Sequence, residues 1–261
     1  MYRFLLMRHG ESIGNIDPRN YMTVGDAFLG LTEKGWDQAE AAGRFLVDYY
    51  RTESVDPQTW PHIFCSSYQR TRETLSGVLS PLKEFGFSDT PRILEDLRLT
   101  EQFYGAVSHL NFEEDPAFKP FAEKLLEISK AAAKSSPVSA SLLFGESPKD
   151  IMLHTKSFMD GTLSRDVTEG KHDILIVTHG ATLKAFLMNW FHLPIEGWEE
   201  LELPHNCDII EICGEPKNWQ VRKIYDGRDM KPCNINPIEN IRWTSLDSLP
   251  KRPDFTPPEA K

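Results

Sequence analysis

The sequence predicts an α/β protein, a three-layer α/β/α sandwich on a mostly parallel central sheet, with helices on both faces and a C-terminal antiparallel hairpin. Three observations predict it. Short apolar runs alternate with amphipathic helical patterns, as helices covering both faces of a sheet require. The runs are apolar at nearly every position, the mark of strands buried on both sides. Two late runs flank a turn-forming segment. In order, the strand-like runs are residues 2–7, 62–66, 91–94 and 174–178. Most are separated by residues recurring at three and four positions: Trp36, Ala39, Gly43, Leu46 and Tyr50, then Leu75, Val78, Leu79 and Leu82, and later Leu183, Phe186, Leu187 and Trp190. Residues 208–212 and 219–224 flank Gly214-Glu-Pro-Lys-Asn and predict the hairpin.

Two segments depart from this rhythm. Residues 106–145 carry Asn-Phe-Glu-Glu-Asp-Pro, a helical stretch with Phe118, Phe121, Leu125 and Ile128, and then a run rich in Ala and Ser. This reads as a lid-like insertion. From Asp226 the chain turns Pro-rich and ends in Pro-Asp-Phe-Thr-Pro-Pro-Glu-Ala-Lys, a composition that resists regular structure. Ile241 and Trp243 are the residues able to dock it. The expected division is a catalytic domain over 1–226, with the insertion at about 106–145, and a C-terminal extension over 227–261.

A chain of 261 residues can bury a substantial core as one domain with an insertion. Its formal net charge of −10 leaves no basic stripe, so neither nucleic acid nor a membrane is expected as a partner. Cys65, Cys207, Cys213 and Cys233 are too sparse for a disulfide scaffold and lack the spacing of a zinc knuckle. No run approaches the ~18 apolar residues of a membrane span, and Arg8 cuts short the apolar opening. A cytoplasmic protein is the expectation.

Two predicted strands end in a His-Gly pair, His9-Gly10 behind Arg8 and His179-Gly180 behind Thr178. Ligands of open α/β sheets bind beyond the carboxyl ends of the strands, so both imidazoles should face one cleft. A neutral histidine is a nucleophile and a charged one clamps an anion; beside Arg8, the pair points to chemistry on phosphate. The second strand leads through Ser66-Ser67 into a helix whose first turn holds Arg70, where backbone amides and the helix dipole already favour an anion. Taken alone, Arg70 and Arg72 beside Glu73 read equally well as a solvated surface. Glu101 follows the third strand at the same sheet edge. Burial near a phosphate raises the pKa of such a carboxyl towards that of a general acid, although a lone loop glutamate is ordinarily solvated. His62, His154, His172, His192 and His205 fall at scattered spacings that disfavour metal binding.

Together, Arg-His-Gly-Glu at 8–11, Asn15, Leu-Thr-Glu-Lys-Gly at 31–35 with Gln38-Ala39, Ser-Ser-x-x-Arg-x-x-Glu-Thr at 66–74, Glu101 with Gly105, Gly-Glu-Ser at 145–147 and Thr-His-Gly at 178–180 resemble the histidine phosphatase superfamily, in its phosphoglycerate-mutase-like branch. The resemblance covers roughly residues 1–105 and 145–213. It implies that His9 is the nucleophile accepting the phosphoryl group and that Arg8, Arg70 and His179 surround its oxygens. Asn15 would donate a further hydrogen bond, and Glu101 would protonate the leaving oxygen and then activate water. Neither a metal nor another cofactor is implied, because two guanidinium groups and an imidazolium stabilise the transferred charge. His9 then needs a free lone pair, with a backbone carbonyl holding its other ring N–H, whereas His179 beside phosphate should be cationic.

The expected activity is that of a histidine acid phosphatase-like phosphatase, a phosphoric monoester hydrolase working through phosphohistidine on a small phosphorylated metabolite. A phosphoglycerate-type phosphomutase is the alternative. Mutases of this branch add basic residues for the substrate carboxylate, whereas here Gly105 is followed by an acidic stretch and the rest of the insertion has only Lys119, Lys124, Lys130 and Lys134. A non-catalytic phospho-ligand binding or scaffold protein is the alternative of another class, disfavoured by the presence of His9, Glu101 and His179. The cleft walls are assigned to residues 16–30, with Tyr21, Met22 and Phe28, and to the insertion, flanked by Phe103 and Tyr104 and containing His109 and Phe112. Such walls suit a substrate with an apolar or aromatic portion. The Asn206-Cys207 pair also matches the family pattern, with no chemical role assigned. An acidic chain with an uncovered sheet edge is able to form a homodimer.

Overall fold

The alternating runs fold into one mixed sheet of seven strands in the computed structural model, which describes residues 1–53, 55, 61–86, 91–105, 119–141, 145–170 and 172–241. The strands are β1 (Tyr2–Arg8), β2 (His62–Cys65), β3 (Ile93–Glu95), β4 (Asp173–Thr178), β5 (Ile209–Glu215), β6 (Asn218–Asp226) and β7 (Lys231–Ile235), in the order β3-β2-β4-β1-β5-β6-β7. The helices are α1 (Ile13–Ile16), α2 (Glu33–Thr52), α3 (Gln69–Phe85), α4 (Lys119–Ser135), α5 (Pro148–Phe158), α6 (Ser164–Thr168), α7 (Gly180–Phe191) and α8 (Gly197–Glu200). A π-helical turn, Tyr21–Gly25, and a 3₁₀ turn, Asp26–Phe28, fill the connection from α1 to α2.

Strands β3, β2, β4 and β1 run parallel, while β5, β6 and β7 each join antiparallel to their neighbour. Successive side chains of a strand point to opposite faces, and the sequence uses both. Leu5, Met7, Ile63, Leu175 and Val177 pack beneath Ala39, Leu46 and Tyr50 of α2 and Leu75, Val78 and Leu82 of α3. Phe4, Leu6, Phe64, Ile174 and Ile176 pack beneath Phe158 of α5 and Leu183, Phe186 and Leu187 of α7. Each fully buried aliphatic side chain contributes about 2 kcal/mol to holding the three layers together. The parallel strands therefore end at fixed positions along one edge, and the residues just beyond them inherit that order.

The tail departs from its expectation. Lys231–Ile235 forms β7, and Pro232 is accommodated because an edge strand has a side on which no N–H is needed. Ile241 is buried among the side chains of the α7 layer, whereas Trp243 lies outside the described residues. Within the insertion, α4 forms as the periodicity predicts, with Phe121 and Ile128 exposed; residues 106–118, which hold His109 and Phe112, lie outside the described residues. Among the described residues no helix is long and apolar enough to cross a membrane.

Candidate active site

His9 follows the last residue of β1 and is almost wholly buried. Its Nδ1 lies 2.7 Å from the carbonyl oxygen of Gly10. A carbonyl only accepts, so Nδ1 carries the proton and Nε2 keeps a free lone pair. Burial, then the charges of Arg70 and Arg8, hold the ring well below the ordinary histidine pKa, so it is neutral near pH 7. The loop that carries it is braced from three sides. Gly10 N donates to Thr74 Oγ1 at 2.9 Å, Glu11 N donates to Gln38 Oε1 at 2.9 Å, and Asn206 Nδ2 donates to the His9 carbonyl at 3.0 Å. A side chain at Gly10 would stand 2.5 Å from the Gly35 carbonyl, so the close approach of this loop to α2 requires glycine.

The other imidazole meets it edge-on. His179 follows β4, is fully buried, and its ring centroid is 5.2 Å from that of His9. Burial, Arg70, His9 and Arg8 all depress its pKa well below the ordinary value. In the site without an anion the ring is therefore neutral, because burial, two guanidinium groups and a second ring all disfavour its charge; the cationic state was expected beside phosphate. A neutral ring is still a donor. Ser66 Oγ lies 2.8 Å from His179 Nε2, and a hydroxyl donating there leaves the proton on Nδ1, which is buried without a hydrogen-bond partner.

Arg8 and Arg70 share that property. Arg8 donates from Nη1 to the Pro204 carbonyl at 2.5 Å, and Arg70 donates from Nη1 to the Asp26 carbonyl at 2.7 Å, yet the Nε of each is buried with no hydrogen-bond partner among the described residues. Arg70 stands in the first turn of α3, fully buried over the Tyr68 ring, so the surface reading of this arginine fails, while Arg72 is exposed and ion-paired with Glu95. An unpaired buried donor costs roughly 1–3 kcal/mol, and three of them on the residues whose charge or ring acts on His9 suit an anion.

Glu101 sits at the N-terminus of α7. Its Oε2 accepts from Gly180 N at 3.1 Å and its Oε1 from Ala181 N at 3.1 Å and Gln102 N at 3.0 Å. Burial raises its pKa above the ordinary carboxylate value, against the opposing pull of the Gln102 amide, Arg8 and Arg70. Asn15 is exposed at the rim, where its Oδ1 accepts from Ser12 N, Ser12 Oγ and Asn206 Nδ2, leaving its NH2 to donate. All six residues singled out in the sequence thus lie along one sheet edge.

Several neighbours were not legible as site residues. Asp26 ion-pairs with Arg70 at 2.8 Å, although the surrounding segment reads as an apolar wall. Tyr68 meets the His179 ring at 5.1 Å between centroids, and Thr74, Gln38 and Asn206 fix the nucleophile's backbone. Their only sequence signal is position within the quoted motifs. Tyr21 and Tyr104 lie close enough to Arg8, Glu101 and Asp26 for those charges to act on their phenols, whereas Phe28 is exposed.

Comparison with known proteins shows the family and the fold. The family model described as the histidine phosphatase superfamily (branch 1) matches residues 4–227. Phosphoglycerate mutase-like protein AT74 of Arabidopsis thaliana is 31% identical over 256 residues, covering 92% of this chain and 75% of its own length. The 2,3-bisphosphoglycerate-dependent phosphoglycerate mutase 2 of Gloeobacter violaceus is 29% identical over 205 residues, covering 78% and 83%. Among solved structures, the alpha-ribazole phosphatase of Shigella flexneri superposes with a TM-score of 0.61 at 22% identity, covering 85% of this chain and 95% of its own. A mycobacterial glucosyl-3-phosphoglycerate phosphatase, solved in complex with VO3, gives a TM-score of 0.61 at 20% identity, covering 85% and 97%. Both likenesses establish a shared fold.

Proposed function

The chain belongs to the histidine phosphatase superfamily (branch 1), and on that premise we propose that it is a metal-independent phosphomonoester hydrolase for a small phosphorylated metabolite. One observation carries the reading. A neutral, buried imidazole with a free Nε2 lies 5.2 Å from the His179 ring and within reach of the charges of Arg8 and Arg70, and Arg8 Nε, Arg70 Nε and His179 Nδ1 are buried donors without partners among the described residues. Nε2 attacks phosphorus as the ester P–O bond breaks, and the protonated carboxyl of Glu101 gives its proton to the departing oxygen. Glu101, now ionised, takes a proton from water as the water oxygen attacks phosphorus. The P–N bond then breaks, returning His9 and releasing orthophosphate. Charge on the transferred group is met throughout by donors already in place, which is where catalysis of phosphoryl transfer chiefly lies.

The mutase reading lacks support from charge. A mutase must hold a second anionic group of the same substrate, yet around Glu101 stand Asp26 and Glu146, and residues 106–118 contain no Lys or Arg. A binding protein without turnover, in turn, has no use for a carboxyl whose proton affinity is raised beside a free imidazole nitrogen. The test is hydrolysis of p-nitrophenyl phosphate at mildly acidic pH, with and without a chelator. Equal release of nitrophenol and orthophosphate, unaffected by the chelator, is expected. No release, or exchange of 3-phosphoglycerate only in the presence of 2,3-bisphosphoglycerate, contradicts it.

A further inference from the structure

We propose that Asp26 is a specificity-determining residue whose carboxylate restricts the site to phosphomonoesters of alcohols that carry no negative charge of their own. This rests on the phosphohydrolase reading and adds the charge class of the leaving group. Asp26 opens the 3₁₀ turn that follows Gly25, whose φ of +91° turns the chain inward. Two contacts then fix it. Its carbonyl accepts from Arg70 Nη1 at 2.7 Å, and its Oδ1 pairs with the same nitrogen at 2.8 Å. Arg70 is thereby held at one end of its guanidinium, with the Nε edge left for the phosphoryl group.

The leaving group departs past Glu101, the residue that protonates it. Asp26, held on the guanidinium that lies 4.9 Å from the Tyr68 ring centre, acts electrostatically on Glu101 and on the phenols of Tyr21, Tyr68 and Tyr104. Glu146 adds a second carboxylate nearby, anchored where its Oε2 accepts from Phe103 N at 2.9 Å. The guanidinium charges of Arg8 and Arg70 are thus matched to one phosphoryl group, and Asp26 already takes part of that charge. A hydroxyl or ammonium group on the alcohol meets phenol oxygens and carboxylates, whereas a carboxylate or second phosphate meets like charge.

The test uses sn-glycerol 3-phosphate and 3-phosphoglycerate, which differ in a hydroxymethyl group against a carboxylate. Both are titrated calorimetrically into the His9→Ala protein, which binds without turning over. Glycerol 3-phosphate is expected to bind about tenfold more tightly or better, and Asp26→Asn in the same background to narrow the ratio to about threefold. Asp26→Ser replaces it should the Asn variant fail to fold. Equal binding of the two ligands, binding of neither, or a ratio unmoved by the substitution overturns the assignment. Hydrolysis of p-nitrophenyl phosphate by the unaltered protein reports separately on the enzymatic reading.

Discussion

Two clusters of buried cations lie at opposite ends of β1, and they are built on opposite principles. At the amino end, Arg3 faces Glu53, Asp173 and Glu211 within 3.5–3.9 Å, and Glu211 is itself fully buried between Arg222 Nε at 2.6 Å and the Tyr49 hydroxyl. Burial alone would lower the pKa of Arg3, but Asp173, its neighbouring tyrosines and Glu53 more than offset it, so the group ends above the ordinary value. At the carboxyl end the sum reverses. Arg8 ends below its ordinary value because burial outweighs the charge of Glu101, Tyr21, Tyr104 and Asp208. Arg3 leaves Nε and Nη1 without hydrogen bonds too, but a carboxylate oxygen lies within 3.9 Å of each of its nitrogens, so its charge holds the fold. Arg8 has no ion pair among the described residues, and its unpartnered Nε is left to meet a ligand.

Removing His9 should separate the two ends most sharply. His9→Ala is expected to lower turnover by at least about 10³-fold with little change in melting temperature, checked by steady-state assay and thermal denaturation side by side. Glu211→Ala should do the reverse. It removes the buried acceptor of Arg222 and the Tyr49 hydroxyl while Arg3 keeps Asp173 and Glu53, and should cost about 1–3 kcal/mol of stability in urea unfolding, with turnover per folded molecule within about twofold of the parent. Loss of activity without loss of stability would erase the distinction drawn here.

Ligand response sharpens the same contrast. Orthophosphate at about 100 times its dissociation constant should add about 2.7 kcal/mol to unfolding, and that gain should vanish in Arg70→Ala but persist in Arg222→Ala. A stabilisation insensitive to Arg70 would place the anion elsewhere. The smallest effect is on pH. His9 must be unprotonated and its pKa lies below 6.5, so the acid limb of kcat/KM falls below that value. Glu101 must be protonated and its pKa lies above 4.5, so activity declines as pH rises through that raised value, giving a mildly acidic optimum. Glu101→Gln should abolish the alkaline limb and lower kcat about 10²-fold; a limb that stays in place assigns the proton to another group.

Legibility in the sequence followed locality. Strands β1, β2 and β4 are apolar runs buried on both faces, and the residues that follow them, His9, Ser66 and His179, were placed at one edge by topology alone. Strand β7 was missed because two of its neighbours in the chain are turn-forming and its edge position tolerates Pro232, so composition spoke for a tail while pairing with β6 decided for a strand. The charge state of His179 in the anion-free site has a related origin. Its depressed pKa comes first from burial and then from Arg70, 109 positions away in the chain, and His9, surroundings that only the folded sheet supplies. Asp26 escaped notice because an acid in a connecting segment is ordinarily solvated, and nothing local marks it as Arg70's partner.

Rapid mixing with a radiolabelled phosphomonoester, followed by denaturing quench and peptide mapping, examines the chemistry itself. The label should appear on the peptide holding residue 9 within one turnover, resist alkali and be released by acid, and be absent from His9→Ala. Orthophosphate formed at full rate with no protein-bound label at any time, or label carried on another residue, would contradict a phosphorylated His9 as the intermediate.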